Sequence, residues 1–562
     1  MLRPSTQALR RYHASGQWRD QTIAQRFAEQ VVLHAAKTAV TDNGGGALSY
    51  AELDAQAARL AGFFAARGIG RGDVVTLHLP NRCEAAVVAL AAWRLGAVLH
   101  PVAPNYGPHD LAQGLQRCAS KAIVVAARFR SADYTETLHQ LRRDHGIAPL
   151  ALVIGTGAQR IGIAFDDALS SAPLASAPAG DADAAAAVLF TSGTESRPKG
   201  AVHTHNTILF GEGALAETLR LDARDRCFMA SPVTHATGFM HGLVLNLTSG
   251  ATLSLLDVFS GEAAVRQMKE DAASWTMGAS VFLGDTVATL DRQQTRLPAL
   301  RYFLCGGAPI PEDLVRRAVA VGLRVLPVYG STESPPHAVL PPEAPLEAAW
   351  QTDGRPLPGI EVRVLDEQLA PLPAGQPGEA WSRGPNTFIG YLGDAQTTRH
   401  TIDADGWCRS GDLAVLRDDG GLKIVGRIKE LVIRGGQNIS VREVEDALVA
   451  HPAVHEVAVV GVTHDRLGET LAAVVVPEPG HEPTLAALCD FLTARGISKF
   501  KLPERLVLSS GLPRTPSGKI QKVLLKQQLA SGQAETPVQR QAEPSAALPR
   551  DPPHHATREG HP

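Results

Sequence analysis

Residues 188–205, which read VLFTSGTESRPKGAVHTH, have the composition of a site that binds phosphate. An apolar, strand-like run leads into small hydroxyl residues and glycine, and a lysine follows a few positions later. The candidate phosphate contacts are Thr191, Ser192, Gly193, Thr194 and Lys199. Backbone N–H groups of small residues can approach phosphate oxygens closely, and the lysine adds positive charge. Because the GK[ST] of a Walker A loop is missing, the residues alone leave two interpretations open, a phosphate loop and an ordinary surface turn.

The same string resembles the phosphate loop of the adenylate-forming superfamily, whose usual form is TSGTTGxPKG. That superfamily includes acyl-CoA synthetases, aryl-acid ligases, peptide-synthetase adenylation domains and firefly-type luciferases. Here Glu195 and Ser196 stand where the usual form has Thr-Gly. The resemblance extends over about residues 20–525, because further family segments follow in the family's order.

Two of these segments resemble the family's contacts to adenine and phosphate. CGGAP, residues 305–309, is similar to the loop beside adenine, and VYGSTE, residues 328–333, is similar to the segment that holds adenine and the α-phosphate. The residues carried over are Gly306, Gly307, Ala308, Tyr329, Gly330, Thr332 on phosphate and Glu333 on Mg²⁺.

Three later segments complete the series. RSGDL supplies Asp412, which resembles the carboxylate that accepts both ribose hydroxyls, and GRIKE supplies Arg427, a second ribose contact. PRTPSGKIQK supplies Lys519, which resembles the lysine that bridges the substrate carboxylate and the adenylate. Taken singly, Asp412 could be a turn residue and Lys519 a solvated side chain. The ordered series favours the site interpretation.

The resemblance implies a two-step reaction that uses ATP, Mg²⁺ and coenzyme A. A carboxylic acid first attacks the α-phosphate of ATP to give an acyl-adenylate, with Lys519, Thr194, Glu333 and His235 as the catalytic candidates. Positioning and charge neutralisation dominate such a step, so no protein nucleophile is expected.

For the thiol step, the family's small domain rotates about a hinge that matches Lys429. This rotation brings the loop Arg434-Gly435-Gly436 to the site. Without the family context, the two glycines are equally consistent with a hairpin turn.

The predicted acyl pocket contains His235, Phe239, Met240, Gly278 and Ala279. Its segment is most similar to that of cyclohexanecarboxylate and medium-chain acid–CoA ligases, with some features of dihydroxybenzoate-type ligases. Those aryl ligases carry Asn after the matching His, whereas Ala236 follows His235 here and cannot bond an ortho hydroxyl. An apolar cyclic, aryl or medium-chain acid is therefore expected. Two alternatives stay open: a stand-alone ligase that loads a carrier protein, and a catalytically silent nucleotide- or acyl-binding homologue.

The elements that must position these residues follow an α/β pattern. Short β-branched runs such as DVVTLHLP and RVLPVYG alternate with alanine-rich helical stretches, which predicts βαβ units and mostly parallel sheets with flanking helices. Ligands bind such sheets beyond the carboxyl ends of the strands. The expected domains are a large adenylation domain over residues 1–426, a small mobile α/β domain over 427–530 and a disordered tail over 531–562.

Composition narrows the partners to small molecules. The 562 residues carry a formal net charge of −3 and only 5% aromatic residues, which gives no basic stripe or stacking platform for nucleic acid. No run approaches the roughly 20 apolar residues of a membrane span. The six cysteines contain no CxxC pair, which favours reduced core residues. We expect a cytoplasmic enzyme, and leave a homodimer open.

Overall fold

The computed structural model of the protein describes residues 2–155, 161–175, 180–191, 199–307, 310–434, 437–464, 468–515 and 518–531. Its helices are α1 (Thr6–Ala14), α2 (Ile23–His34), α3 (Tyr50–Ala65), α4 (Cys83–Arg94), α5 (Pro108–Cys118), α6 (Tyr134–His145), α7 (Phe165–Leu169), α8 (His205–Leu219), α9 (Leu245–Ser249), α10 (Gly261–Glu270), α11 (Ser280–Arg292), α12 (Glu312–Ala320), α13 (Ala348–Gln351), α14 (Ala395–Thr401), α15 (Val441–Val449), α16 (Leu485–Ala494) and α17 (Lys522–Ala530). A π-helix spans Thr237–Val244, and short 3₁₀ helices span Ile428–Glu430 and Lys499–Lys501.

The strands are β1 (Thr38–Asp42), β2 (Ala47–Ser49), β3 (Val74–His78), β4 (Val98–Pro101), β5 (Ala122–Ala126), β6 (Arg128–Phe129), β7 (Ala132–Asp133), β8 (Leu150–Ile154), β9 (Ile163–Ala164), β10 (Ala185–Thr191), β11 (Lys199–Thr204), β12 (Arg226–Met229), β13 (Thr252–Leu255), β14 (Trp275–Gly278), β15 (Tyr302–Gly306), β16 (Val325–Tyr329), β17 (Ala338–Val339), β18 (Arg355–Pro356), β19 (Glu361–Leu365), β20 (Pro377–Arg383), β21 (Gly390–Tyr391), β22 (Cys408–Leu416), β23 (Leu422–Arg427), β24 (Leu431–Arg434), β25 (Gln437–Ser440), β26 (Val454–His464), β27 (Gly468–Pro477) and β28 (Arg505–Leu508).

Two large sheets form the body of the protein. Sheet I has the order β18-β17-β16-β15-β14-β12-β13-β1-β2 and is parallel from β16 to β1, with antiparallel strands at both edges. Sheet II has the order β21-β11-β10-β4-β3-β5-β8-β9 and is parallel from β10 to β9. The predicted α/β class with mostly parallel sheets is confirmed.

The core lies around helices that are apolar on every side. The sequence of α4, CEAAVVALAAWR, has no polar stripe, and its residues from Cys83 to Trp93 are buried except Glu84. A helix without a polar face is stable only when it is covered all round. α4 packs against α3, and both belong to one continuous apolar cluster that also includes sheet I.

Sheet III has the order β19-β20-β22-β23 and is antiparallel throughout. The sequence analysis did not predict this sheet, because its antiparallel strands do not form the strand–helix–strand repeat of a βαβ unit. Sheet III carries Asp412 and Arg427, so it contributes directly to the candidate site.

Sheet IV belongs to the C-terminal part of the chain, with the order β25-β24-β27-β26 and β28 parallel to β27. One of its faces packs with α15 and α16, and the other packs with α17. This part of the chain is α/β, as predicted. Among the described residues, no helix is long and apolar enough to cross a membrane. Residues 532–562 of the predicted tail lie outside the described residues.

Candidate active site

A cleft of about 2280 Å³ is lined by residues of sheets I, II and III and of the C-terminal part of the chain. It contains ten of the predicted site residues: Lys199, His235, Gly307, Tyr329, Gly330, Thr332, Glu333, Asp412, Arg427 and Lys519. These residues are up to 320 positions apart in the sequence (519 minus 199), and the fold brings them to one opening. Several of them follow the carboxyl ends of parallel strands, as expected for an α/β sheet.

At one end of the cleft, Asp412 is held by a tyrosine and an arginine. Tyr329, the last residue of β16, donates its Oη hydrogen to Asp412 Oδ2 at 2.5 Å. Arg427 Nε lies 2.9 Å from Asp412 Oδ1, because the two residues are register partners on β22 and β23. The Asp412 carboxylate raises the pKa of Arg427, and burial together with that carboxylate raises the pKa of Tyr329. The Asp412 carboxylate is therefore held in place by two donors.

The predicted phosphate loop connects two antiparallel strands. Thr191 ends β10 and lies opposite Lys199, which begins β11, so residues 192–198 join the two strands. Lys199 Nζ lies 5.6 Å from the centre of the Tyr391 ring. Tyr391 Oη donates to Glu333 Oε1 at 2.7 Å, which places the predicted metal carboxylate beside the same hairpin. Ser192, Gly193 and Thr194 lie outside the described residues.

His203 on β11 supports the segment between Tyr329 and Glu333. Its Nε2 lies 2.8 Å from the backbone oxygen of Thr332, and its Nδ1 lies 3.2 Å from Thr207 Oγ1. Since a carbonyl oxygen only accepts hydrogen bonds, Nε2 must carry the proton. Burial lowers the pKa of His203 to about 4, so the ring stays neutral. Neither His203 nor Tyr391 was among the predicted contacts. His203 lies in the 188–205 segment, after the residues that were assigned to phosphate, and Tyr391 lies in no segment with an assigned role.

Lys519 reaches the cleft from a tight hairpin in the C-terminal part of the chain. Thr515 accepts at its Oγ1 from the Lys519 backbone N at 3.1 Å, and its own backbone N donates to the Lys519 oxygen at 2.8 Å. The side chain lies against Gly307, where an added Cβ would be 2.9 Å from Lys519 Cε. Burial, and next the Arg427 charge, lower the pKa of Lys519, whereas Asp412 and Glu333 raise it. The ammonium group is thus within the field of both carboxylates.

His235 and Ala236 also line the cleft. Burial, and next the charge of Lys519, lower the pKa of His235 to about 3, so the ring next to Lys519 is neutral. The π-helix Thr237–Val244 follows directly, and Phe239 donates its backbone N–H to the His235 oxygen at 2.8 Å. π-Helical turns are rare and occur frequently at functional sites.

Four predicted pocket residues do not line the cleft. Phe239 and Met240 have no exposed surface, and Phe239 packs against Trp93 with ring centroids 5.9 Å apart. Gly278 lies against Phe282, and Ala279 faces Gly518 of the Lys519 hairpin. Their contribution to an acyl pocket therefore stays a prediction.

The remaining predicted residues lie away from the cleft or outside the described part of the chain. Arg434 forms an ion pair with Glu504 and donates to the Phe500 oxygen at 2.8 Å. Gly306, in turn, lies against Val328 O, 2.4 Å from the position of an added Cβ. Lys429 is in the 3₁₀ helix Ile428–Glu430. Ala308, Gly435 and Gly436 lie outside the described residues.

The chain was compared with known proteins. The sequence profile of the AMP-binding enzyme family matches residues 27–392, and the profile of the AMP-binding enzyme C-terminal domain matches residues 443–519. The chain is 38% identical to the medium-chain fatty-acid–CoA ligase of Escherichia coli (strain K12) over 526 residues, 92% of each protein. It is 33% identical to the salicyl-AMP ligase / salicyl-S-ArCP synthetase of Mycobacterium tuberculosis over 539 residues, 94% of each.

The chain belongs to the AMP-binding enzymes. The solved structure of ATP-bound MatB from Rhodopseudomonas palustris agrees, with a TM-score of 0.81 at 30% identity over 91% of this chain and all of that one. By class this AMP-binding enzyme is an AMP-forming acid–thiol ligase, and ATP is one of its substrates. The superfamily recognised from the sequence is confirmed.

Glu333 suits the Mg²⁺ that this family's chemistry implies. Among the described residues, no group of three or more His, Cys, Asp or Glu side chains is placed to hold a metal ion alone. Mg²⁺, however, is usually bound by one or two carboxylates together with substrate phosphates. The Glu333 carboxylate, oriented by Tyr391 next to the β10–β11 hairpin, fits that pattern.

Proposed function

We propose that this AMP-binding enzyme joins an apolar cyclic, aryl or medium-chain carboxylic acid to coenzyme A through an acyl-adenylate. The observation that carries the proposal is the place of Lys519. Its side chain lies against Gly307, close enough to Asp412, Glu333 and His235 for electrostatic interaction with each of them. A cation at that point would contact both the nucleotide phosphate and the carboxylate that attacks it.

In the first step, a carboxylate oxygen of the acid attacks the α-phosphorus of ATP. The bond from that phosphorus to the bridging oxygen breaks, and pyrophosphate leaves with the electron pair. Two anions must meet, so the role of the protein is to neutralise charge and to orient the reactants. Lys519 would neutralise the two anions, Asp412 and Arg427 would hold the ribose, and Lys199 would attract the phosphates. Mg²⁺ bound with Glu333 and the phosphates would screen further negative charge.

In the second step, the thiol of coenzyme A attacks the acyl carbonyl, AMP leaves, and the thiol proton is released. Lys519 occupies the space that the thiol would need. A rotation of the C-terminal lobe, which consists of sheet IV and α15–α17, about Lys429 would withdraw the Lys519 side chain and bring Arg434 nearer to the acyl-adenylate. The boundary between a large domain over residues 1–426 and a small domain over residues 427–530 depends on the same rotation and stays a prediction. A cytoplasmic location and a homodimer also stay predictions.

We infer the class of acid from Ala236, the residue after His235. Ala236 is 9% exposed and has no hydrogen-bonding side-chain atom, so that position favours an apolar substituent. The E. coli relative bears the name of a medium-chain fatty-acid–CoA ligase, which supports the same substrate class.

A second candidate is a ligase that loads an aryl acid onto a carrier protein, because the M. tuberculosis relative is named for that activity. An acid panel separates the two. We expect AMP formation with octanoate, cyclohexanecarboxylate or benzoate to increase when coenzyme A is added. Pyrophosphate release with salicylate alone, without a coenzyme A product, would support the carrier-loading candidate. No release with any acid would support a silent homologue.

Two variants sharpen this test. Lys519→Ala should abolish acid-dependent ATP–pyrophosphate exchange, yet leave thioester formation from pre-made acyl-adenylate largely intact. Ala236→Asn should shift the preference from octanoate toward salicylate, since it places an amide where an ortho hydroxyl would lie. Equal loss of both half-reactions in Lys519→Ala would count against the proposed role of Lys519.

A further inference from the structure

Lys522 is a second buried lysine close to Lys519, and it contacts two carboxylates. It is the first residue of α17, three positions after Lys519. Its Nζ lies 2.9 Å from Glu430 Oε2 and 2.9 Å from Glu445 Oε1. Glu445 also accepts the backbone N–H of Val459 at 2.6 Å. All three residues line the cleft, although none of them is among the predicted site residues.

The three charges are largely withdrawn from water. The exposed fractions of the side chains are 18% for Lys522, 14% for Glu445 and 27% for Glu430. Burial alone would lower the pKa of Lys522, but the carboxylates of Glu445 and Glu430 outweigh it and raise that pKa. The lysine is therefore ionised between two carboxylates that would otherwise face each other at close range.

The contacts join three separate parts of the C-terminal lobe. Glu430 directly follows Lys429 in the 3₁₀ helix, and Glu445 lies on α15 beside β26. Lys522 continues the hairpin that carries Lys519, in which the Gln521 backbone N donates to the Pro513 oxygen at 2.8 Å. A movement of the Lys522 ammonium is thus transmitted through two residues of backbone to Lys519.

Arg514 fixes the other strand of the same hairpin. It donates to the Gly518 oxygen at 2.7 Å and pairs with Glu456 of β26 at 3.1 Å. The hairpin is therefore fastened to the lobe by one cation on each side of Lys519. On the Lys522 side, the hairpin is connected to Glu430, the residue after the proposed hinge.

We propose that Lys522 is a positioning residue that fixes Lys519 relative to the hinge segment through its bridge to Glu430 and Glu445. The inference rests on the proposed role of Lys519 in adenylation. Lys522 itself touches no substrate. Its bridge sets the distance that the Lys519 side chain must span to reach Gly307 when the lobe is docked.

The test compares half-reactions in the full-length protein. Lys522→Met should reduce acid-dependent ATP–pyrophosphate exchange roughly 10- to 100-fold, the usual effect of a misplaced reacting group. Thioester formation from pre-made acyl-adenylate should stay near that of the unchanged protein, because Lys519 is withdrawn in that step. Lys522→Arg should restore much of the exchange, since it keeps the cation. Lys499→Met changes an exposed lysine in the C-terminal part of the chain that does not line the cleft, so it is the matched control and should change neither reaction.

A double variant distinguishes positioning from stability. Lys522→Met leaves Glu445 buried and unpaired, which lowers the melting temperature in itself. Adding Glu445→Leu removes that carboxylate, and should raise the melting temperature again without restoring exchange. If exchange returns together with the melting temperature, or if both half-reactions fall equally in Lys522→Met, the inference is wrong. Lys519→Ala measured alongside tells the two proposals apart: if it retains exchange, the proposed function itself fails.

Discussion

Lys519 Cε lies so close to Gly307 that a Cβ added to the glycine would be 2.9 Å away. Gly307 directly follows β15 in the large part of the fold, and Lys519 belongs to the C-terminal lobe. This contact joins the two parts at the cleft. The backbone φ of Gly307 is +82°, a value that residues with a Cβ rarely adopt. Position 307 therefore favours glycine for two reasons: the backbone conformation and the close approach of the Lys519 side chain.

Gly307→Ala should impair adenylation more than thioester formation. The methyl group would collide with the lysine stem, so exchange should fall about 10- to 100-fold. Thioester formation from pre-made adenylate should change less, since it does not need Lys519 in place. The measurement is ATP–pyrophosphate exchange against thioester formation for the same preparation.

Gly68→Ala is the control for backbone strain in that experiment. Gly68 also has a left-handed φ, +74°, but nothing lies within 4 Å of an added Cβ. Gly68→Ala should therefore lower the free energy of unfolding by about 1–2 kcal/mol, the cost of the strained backbone, and leave exchange unaffected. Equal loss of exchange in both variants would mean that strain, and not the contact with Lys519, explains the result.

Asp412→Asn should weaken ATP binding. The variant loses the ion pair with Arg427 and the charged acceptor for ribose, and a hydrogen bond to a charged group contributes about 1.5–3 kcal/mol. A rise of about 10- to 150-fold in the KM for ATP is expected, with little change for the acid. Tyr329→Phe removes only one donor to the same carboxylate and should have a smaller effect. An increase confined to the KM for the acid would contradict the assignment of Asp412 to the nucleotide.

His241→Leu should destabilise the large part of the protein. His241 Nδ1 lies 3.0 Å from Glu212 Oε1, and the side chains are 5% and 2% exposed. Removing the imidazole leaves a carboxylate buried without its partner, which typically costs about 3–5 kcal/mol. The melting temperature should fall by several degrees, and adding Glu212→Leu should recover much of the loss. A melting temperature unchanged in the single variant would show that solvent reaches Glu212.

Stability should fall as the solution becomes acidic, because six buried imidazoles stay neutral in the folded protein. Burial lowers their pKa from 6.5 to about 3 or 4; they are His78, His100, His203, His205, His235 and His337. Between pH 6.5 and 4 the unfolded chain binds protons that the folded chain does not, so lower pH favours unfolding. Each histidine adds up to about 1.4 kcal/mol per pH unit to the slope of the free energy of unfolding against pH.

The single variant His203→Gln tests this account through denaturant titrations at several pH values. Glutamine can still donate to the Thr332 oxygen but does not titrate, so the slope of stability against pH should decrease by about one proton. A slope that is unchanged in this variant, or stability that is flat from pH 6.5 to 4, would argue against neutral buried imidazoles in the folded state.

Much of the fold follows from local patterns in the sequence. The β-branched run of β3 and the apolar helix α4 have the periodicity of a buried strand and a buried helix, and both occur where predicted. The antiparallel sheet III was missed, since its pairing depends on contacts between strands rather than on the pattern within any one strand. The contacts of Glu333 with Tyr391, and of Thr332 with His203, were missed for the same reason.

The sequence by itself determined the family and the residues that carry its chemistry. Binding phosphate and ribose requires particular residue types within short motifs, and those motifs occur in order along the chain. Only the tertiary structure decided how those residues meet. The pairing of Asp412 with Arg427 depends on strand register, and the contact of Lys519 with Gly307 depends on how the C-terminal lobe docks. Asp412 and Arg427 are 15 positions apart and Gly307 and Lys519 are 212 positions apart. The pattern of residues within any one segment specifies neither contact, because each depends on how separate segments pack.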